Sequence, residues 1–211
     1  MHLYMWSFLM NKEYKENLLI TVFFLGGTIG GIWETLWTYL IRGSLQWKSG
    51  VMFFPLCNPI YGLGALLITL YALKHKSLFS IYIFALISCT ISEFLFSYLE
   101  ELLFNTISWD YSSHFLNIDG RVNLIYSLFW GLLGVIFAHF ILPPLECSVA
   151  INGEKYQSLT FTLCIIYIPL LFFSIVGLAV NHYGTTNEIL GVIFSEKIMK
   201  FFYPTRVLVI K

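Results

Sequence analysis

Charge is what this chain has least of. Asp, Glu, Lys and Arg make up 11% of its 211 residues, where a soluble domain carries about 25%. Acids and bases cancel, 12 against 12, so there is no electrostatic ground for a nucleic-acid partner. The four cysteines, Cys57, Cys89, Cys147 and Cys164, show no CxxC and no Cys/His spacing, and all four read as structural rather than metal-binding. HExxH, the P-loop and the Rossmann fingerprint are missing. Ser112 and Ser113 lack a nucleophile-elbow context. The sequence thus implies no metal, no cofactor and no catalytic residue. Any ATP-driven work would need a separate subunit.

What fills the chain instead is apolar: 58% hydrophobic and 18% aromatic residues. Long uncharged runs make it an all-α, polytopic membrane helix bundle with about five transmembrane helices. The expected spans are 18–41, 59–73, 78–103, 122–142 and 159–180. Residues 1–17 form an interfacial N-terminal segment, and 181–211 an amphipathic tail on the membrane surface. The first run is too long for a signal-peptide core and is expected to stay as an anchor. Gly26, Gly27, Gly30 and Gly31 give it two overlapping GxxxG pairs, the spacing of a close helix-packing face. Pro143-Pro144 is expected to close the fourth span, and Pro169 to kink the fifth. The proline-rich PLCNPIYGLG stretch around Pro55 and Pro59 is either a re-entrant lip at membrane depth or a plain surface loop.

Against this background, Trp109–Arg121, WDYSSHFLNIDGR, is the exception. It packs two acids, an arginine, an asparagine, a histidine and three hydroxyl side chains into 13 positions. It should be a structured polar loop between the third and fourth spans. With five spans, the first and third helices run the same way. Glu34 and Glu93 then fall in the half of the membrane nearest this loop, together with Arg42, Asp110, Asp119 and Arg121. Glu93, Ser97 and Glu100 are spaced to share one helical stripe. A charge near mid-membrane costs about 2.5–3.5 kcal/mol, so Glu34 and Glu93 should pair with Arg42 or Arg121, face water, or hold a proton. Two readings follow: a substrate or proton site at the mouth of a cavity, or a buried ion-pair lock. His114 reads as incidental to the loop, and His139 and His182 as interfacial.

Basic residues in the short loops favour a cytoplasmic N-terminus, with Lys12, Lys15, Lys74, Lys76 and Lys155 against Arg42, Lys48 and Arg121. The tail, with Lys197, Lys200, Arg206 and Lys211, argues the other way.

The ordered series Trp33-Glu34, Arg42-Gly43, Pro55, Asn58-Pro59-Ile60-Tyr61-Gly62-Leu63-Gly64, Glu93, Trp109-Asp110-Tyr111-Ser112, Asn117, Gly120-Arg121 and Phe129-Trp130-Gly131 resembles a bacterial family. It is the family of ABC-transporter permeases called CmpB-like, or type IV, and the resemblance covers about residues 26–142. The WDYS-x4-N-x2-GR spacing is its most specific part. Phe54 stands where the family pattern has glycine, and Lys48 where arginine is common. The resemblance implies a multi-pass protein of the cell membrane that works with a separate ATPase subunit, and a homodimer is the other partnership expected. The site it points to is Glu34, Arg42, Glu93, Asp110, Asn117 and Arg121. Trp33, Pro59, Tyr61, Gly62, Trp109, Tyr111, Ser112, Gly120, Trp130 and Gly131 are its structural motif. The alternatives are a membrane-embedded enzyme acting on lipid or envelope precursors, and an accessory or sensory membrane protein.

Overall fold

The computed structural model describes residues 12–43, 50–52, 57–184, 186–202 and 207–208. The lead-in up to residue 11, Lys48, Phe54, Pro55, Arg206, Lys211 and the side chain of Arg42 lie outside the described residues.

Helix α1 (Lys12–Arg42) is followed by α2 (Pro59–Ala72) and α3 (Leu78–Phe104). After the polar loop come α4 (Leu124–Ile136), α5 (Leu142–Ile151) and α6 (Gly153–Tyr183), then the short α7 (Glu188–Ile193) and α8 (Glu196–Phe202). Among the described residues, strands are limited to two-residue pieces: β1 (Thr106–Ile107), β2 (Asn117–Ile118), β3 (Val122–Asn123) and β4 (Val207–Leu208). The protein is an all-α polytopic bundle. Among the described residues, four helical stretches are long and apolar enough to cross a membrane, and α2 is a shorter apolar helix. The chain alternates direction: Thr160, near the start of α6, donates to Asn17, near the start of α1, at 3.1 Å. The polar loop and the tail therefore share the opposite end.

The glycines of α1 set the tightest contact. A side chain at Gly26 would collide with Ala65, one at Gly27 with Cys57 and Asn58, and one at Gly30 with the Tyr61 ring. Gly62 returns the favour, lying against Phe23. Backbones approach this closely only where neither helix carries a Cβ branch. Gly30→Val should therefore cost about 1–3 kcal/mol through overpacking. A lowered thermal midpoint in detergent checks this, whereas an unchanged midpoint would place Tyr61 elsewhere.

The last residues of the α1–α2 connection, Cys57 and Asn58, lie inside the bundle. The Asn58 amide donates to the carbonyl of Gly27 at 3.0 Å, and Gly27 is the midpoint of α1. Cys57 and Asn58 are buried, non-helical residues. Helix α2 is capped by Asn58, whose side chain accepts from the Ile60 amide, and opens with Pro59 at its first turn. At 14 residues it is about 21 Å long, less than the ~30 Å hydrocarbon core. Irregular backbone at that depth is possible because α1 covers it and takes up its donors. Of the two readings of PLCNPIYGLG, the described part fits the buried lip.

Pro143-Pro144 does not end the fourth span. The chain passes through a π-helical segment, Phe137–Ile141, straight into α5, and the Leu142 amide bonds back to the Phe137 carbonyl. Prolines supply no N–H to the preceding turn, and a widened turn placed just before them accommodates that loss. Helix α6 likewise runs unbroken through Pro169. The tail also differs from one continuous amphipathic run. It breaks between α7 and α8, buries Phe194 and Met199 against Phe104 and Leu178, and pairs β4 with β1.

Candidate functional site

The site begins with α3. Glu93, Ser97 and Glu100 share a buried stripe, with 6%, 1% and 5% of their surface exposed. These are three polar groups on the inner face of a membrane helix. Each must find a partner, and the polar loop supplies them in order. Tyr111 donates its hydroxyl to Glu93 Oε1 at 3.1 Å. Arg121 donates to Ser97 Oγ at 3.1 Å and forms an ion pair with Glu101. Ser108 donates to Glu100 at 2.8 Å. The loop thus runs down the face of α3, with Tyr111 as its deepest point. Glu93 lies about 16 Å along the helix axis from the end of α3, so the loop is folded into the bundle rather than above it.

A second carboxylate meets this stripe from α1. Glu34 accepts from the Asn58 side-chain amide at 3.4 Å, and its charge reaches the buried Tyr61 hydroxyl. The Tyr61 ring rests against the Trp130 indole with centroids 5.2 Å apart. Trp130 donates its indole N–H to Glu93 Oε2 at 3.0 Å. Asn58 bonded to Glu34, the Tyr61 ring on Trp130, and Trp130 with Tyr111 bonded to Glu93 thus bring α1, α2, α3, α4 and the loop to one place. Glu34 and Glu93 are close enough to repel one another. Among the described residues no cation forms an ion pair with Glu93, which accepts from two neutral rings, Tyr111 and Trp130.

The loop that closes the site is built from its own sequence. Trp109 Nε1 donates to the Arg121 carbonyl at 2.8 Å, and the Tyr111 amide to the Gly120 carbonyl at 2.7 Å. Asp110 accepts from the amide and hydroxyl of Ser112. Those bonds hold its carboxyl below the usual carboxylate range, so it stays an acceptor. Asn117 spans the loop, donating to the Ser112 and His114 carbonyls and accepting from the Gly120 amide. Asp119 and Gly120 both have positive φ, 50° and 67°, and the Arg121 amide bonds back to Ile118 at 2.9 Å. This is the Asp-Gly turn of a hairpin, β2 pairing with β3. Burial, reinforced by the Glu93 carboxylate, raises the Tyr111 hydroxyl well above its ordinary range, so it remains a donor.

Gly120 is constrained twice, by φ and by space. A Cβ there would meet Ser112 Oγ and Asp110 Oδ1. Gly120→Ala should cost at least about 1 kcal/mol from the left-handed backbone alone. The expected signature is faster hydrogen exchange at the Tyr111 amide with the helices unchanged. Retained protection there would mean that the loop does not depend on this turn.

The sequence-derived residues divide. Glu34 and Glu93 meet through Tyr61 and Trp130. Asp110 and Asn117 face the loop's own backbone, not the acids. Arg121 pairs with Glu101, not with Glu34 or Glu93, because one α3 turn above Glu93 is as deep as its side chain reaches. Trp33 points outward, 58% exposed, and stacks on Trp37. Gly131 receives the Tyr82 ring. His114 packs against Tyr111 and Tyr126 rather than beside the membrane acids. Glu101, Asn58 and the donor roles of Tyr111 and Trp130 are not marked by the sequence. Their signal was faint: polar tips of aromatic residues look like an interfacial belt until a buried acceptor is known.

The family model described as "Putative ABC-transporter type IV" matches residues 21–199. The chain belongs to this family. The match takes in α1 from its third turn, the lip, the loop and the tail through most of α8, well beyond the 26–142 stretch in which the motifs lie. No curated protein and no solved structure matches the chain. Family and apolar helices together make this a multi-pass, ABC-transporter-like membrane protein.

Proposed function

We propose that this chain is the membrane-spanning, permease-like subunit of a cell-membrane transporter driven by a separate ATPase. In this reading the Glu34–Glu93 pair holds a proton or a cationic group of the cargo. The observation that carries it is Glu93, a buried carboxylate at membrane depth satisfied by neutral donors alone among the described residues. A structural lock would pair such a group with a cation, as Arg121 and Glu101 do about two helical turns away. Ionisable groups left at this depth mark ion, proton or substrate routes. Tyr111, carried by the loop, closes the route, while Asp110, Asn117 and Gly120 keep the loop in shape. A cytoplasmic N-terminus follows from the early basic loops.

Affinity purification of the tagged chain from its native membrane in mild detergent, with mass spectrometry, tests the transporter assignment. A nucleotide-binding polypeptide in stoichiometric amount is the expected result. Its reproducible absence, with the chain intact and folded, would remove the ATP-driven reading.

A further inference from the structure

The loop that closes the site has a second, outward side that the site does not use. Phe115, Leu116 and Ile118 expose 74%, 59% and 59% of their surface. Phe115 and Leu116 stand in the turn just before β2 and Ile118 closes β2, the three making up the loop's apolar tip; Leu116 holds a positive φ of 50°, a backbone region that leucine rarely adopts. The inward residues of the same loop, Tyr111, Asn117 and Arg121, are all hydrogen-bonded to the bundle or to the loop. The tip's apolar side chains are therefore held outward by a frame with no slack to turn them in.

Three large apolar groups within four positions of a water-facing loop would be a liability. Here they continue a surface that already faces lipid. Leu99, Leu102 and Leu103 at the end of α3, and Leu124, Ile125 and Phe129 at the start of α4, are exposed and apolar. Ile118 pairs with Val122, only two residues before α4 begins. Of the loop's exposed polar residues, Asp110, Ser112 and Ser113 fall in its first half, and Asp119 stands at the turn that follows Ile118. We propose that Phe115, Leu116 and Ile118 form a finger inserted into the lipid leaflet at the loop end of the bundle. The finger anchors the segment that carries Tyr111, and its occupant is the acyl region of the bilayer. This does not rest on the transporter reading, since an enzyme or a sensor with this loop would be anchored in the same way.

The test is photo-crosslinking of the full chain in phosphatidylcholine–phosphatidylglycerol vesicles. A benzophenone amino acid replaces Phe115, Ile118 or, as the control in the polar half, Ser113, one at a time. All three sites are exposed, so folding is not at stake. Positions 115 and 118 should each give about tenfold more lipid adduct than position 113, as expected for side chains within the acyl boundary. Equal, low lipid adduct at all three positions would place the tip in water and overturn the proposal. So would a predominant crosslink from 115 and 118 to a second polypeptide, which would make the tip a protein contact.

Discussion

Replacing Arg121 with glutamine should destabilise the protein more than any other single change in the loop. Arg121 and Glu101 have only 14% and 21% of their side-chain surface exposed. Removing one partner of such a pair costs about 3–5 kcal/mol, most of it from the charge left behind. The guanidinium also bonds Ser97 and lies over the rings of Phe94 and Tyr98, 5.9 and 5.5 Å from their centroids. Glu101→Gln should therefore be milder, because the arginine keeps those neutral contacts. Thermal midpoints of both variants and of the double variant form a cycle. A coupling of at least about 1 kcal/mol is expected for a directly bonded charged pair. Additive losses would mean that Arg121 acts through packing alone. Limited proteolysis should show cleavage opening first in the 105–121 loop.

Replacing Glu93 tests the site itself, and the choice of replacement matters. Glu93→Ala strands the Trp130 N–H and the Tyr111 hydroxyl, each a buried donor costing about 1–3 kcal/mol when unpaired. Glu93→Gln keeps the shape and lets its amide oxygen accept from Trp130, while the amide nitrogen can donate to the Tyr111 oxygen. The glutamine variant should thus fold with a near-native midpoint and fail to complement a deletion of the native gene, while alanine loses folded protein. Full complementation by the glutamine variant would show that no charge is needed at Glu93, and the site would reduce to a neutral hydrogen-bonded lock. Tyr111→Phe and Trp130→Phe separate the two donors. Tyr111→Phe should loosen the loop, read as hydrogen exchange at residues 109–121. Trp130→Phe should leave the loop intact, because its bond joins only helices.

The family and the bundle were legible in the sequence because they depend on short-range patterns. Bilayer thickness converts apolar length into helices, and the WDYS-x4-N-x2-GR spacing encodes bonds closed within the loop: Trp109 to Arg121, Tyr111 to Gly120, Asn117 to Ser112, His114 and Gly120. The shared depth of Glu34 and Glu93 also followed from counting spans. Which groups pair was not legible. Arg121 could reach any acid at its end of the bundle, and only the docking of the loop along α3 gave it to Glu101 and left Tyr111 for Glu93. Pro143-Pro144 misled for a related reason: a proline removes one local bond, and whether the helix stops or absorbs the loss in a π turn depends on the helices packed around it. Local chemistry thus set the elements and the inner wiring of the loop. Only the packed bundle decided that two acids, an indole and two phenols converge inside the membrane, because their contacts lie between segments whose order in the chain says nothing about which faces meet.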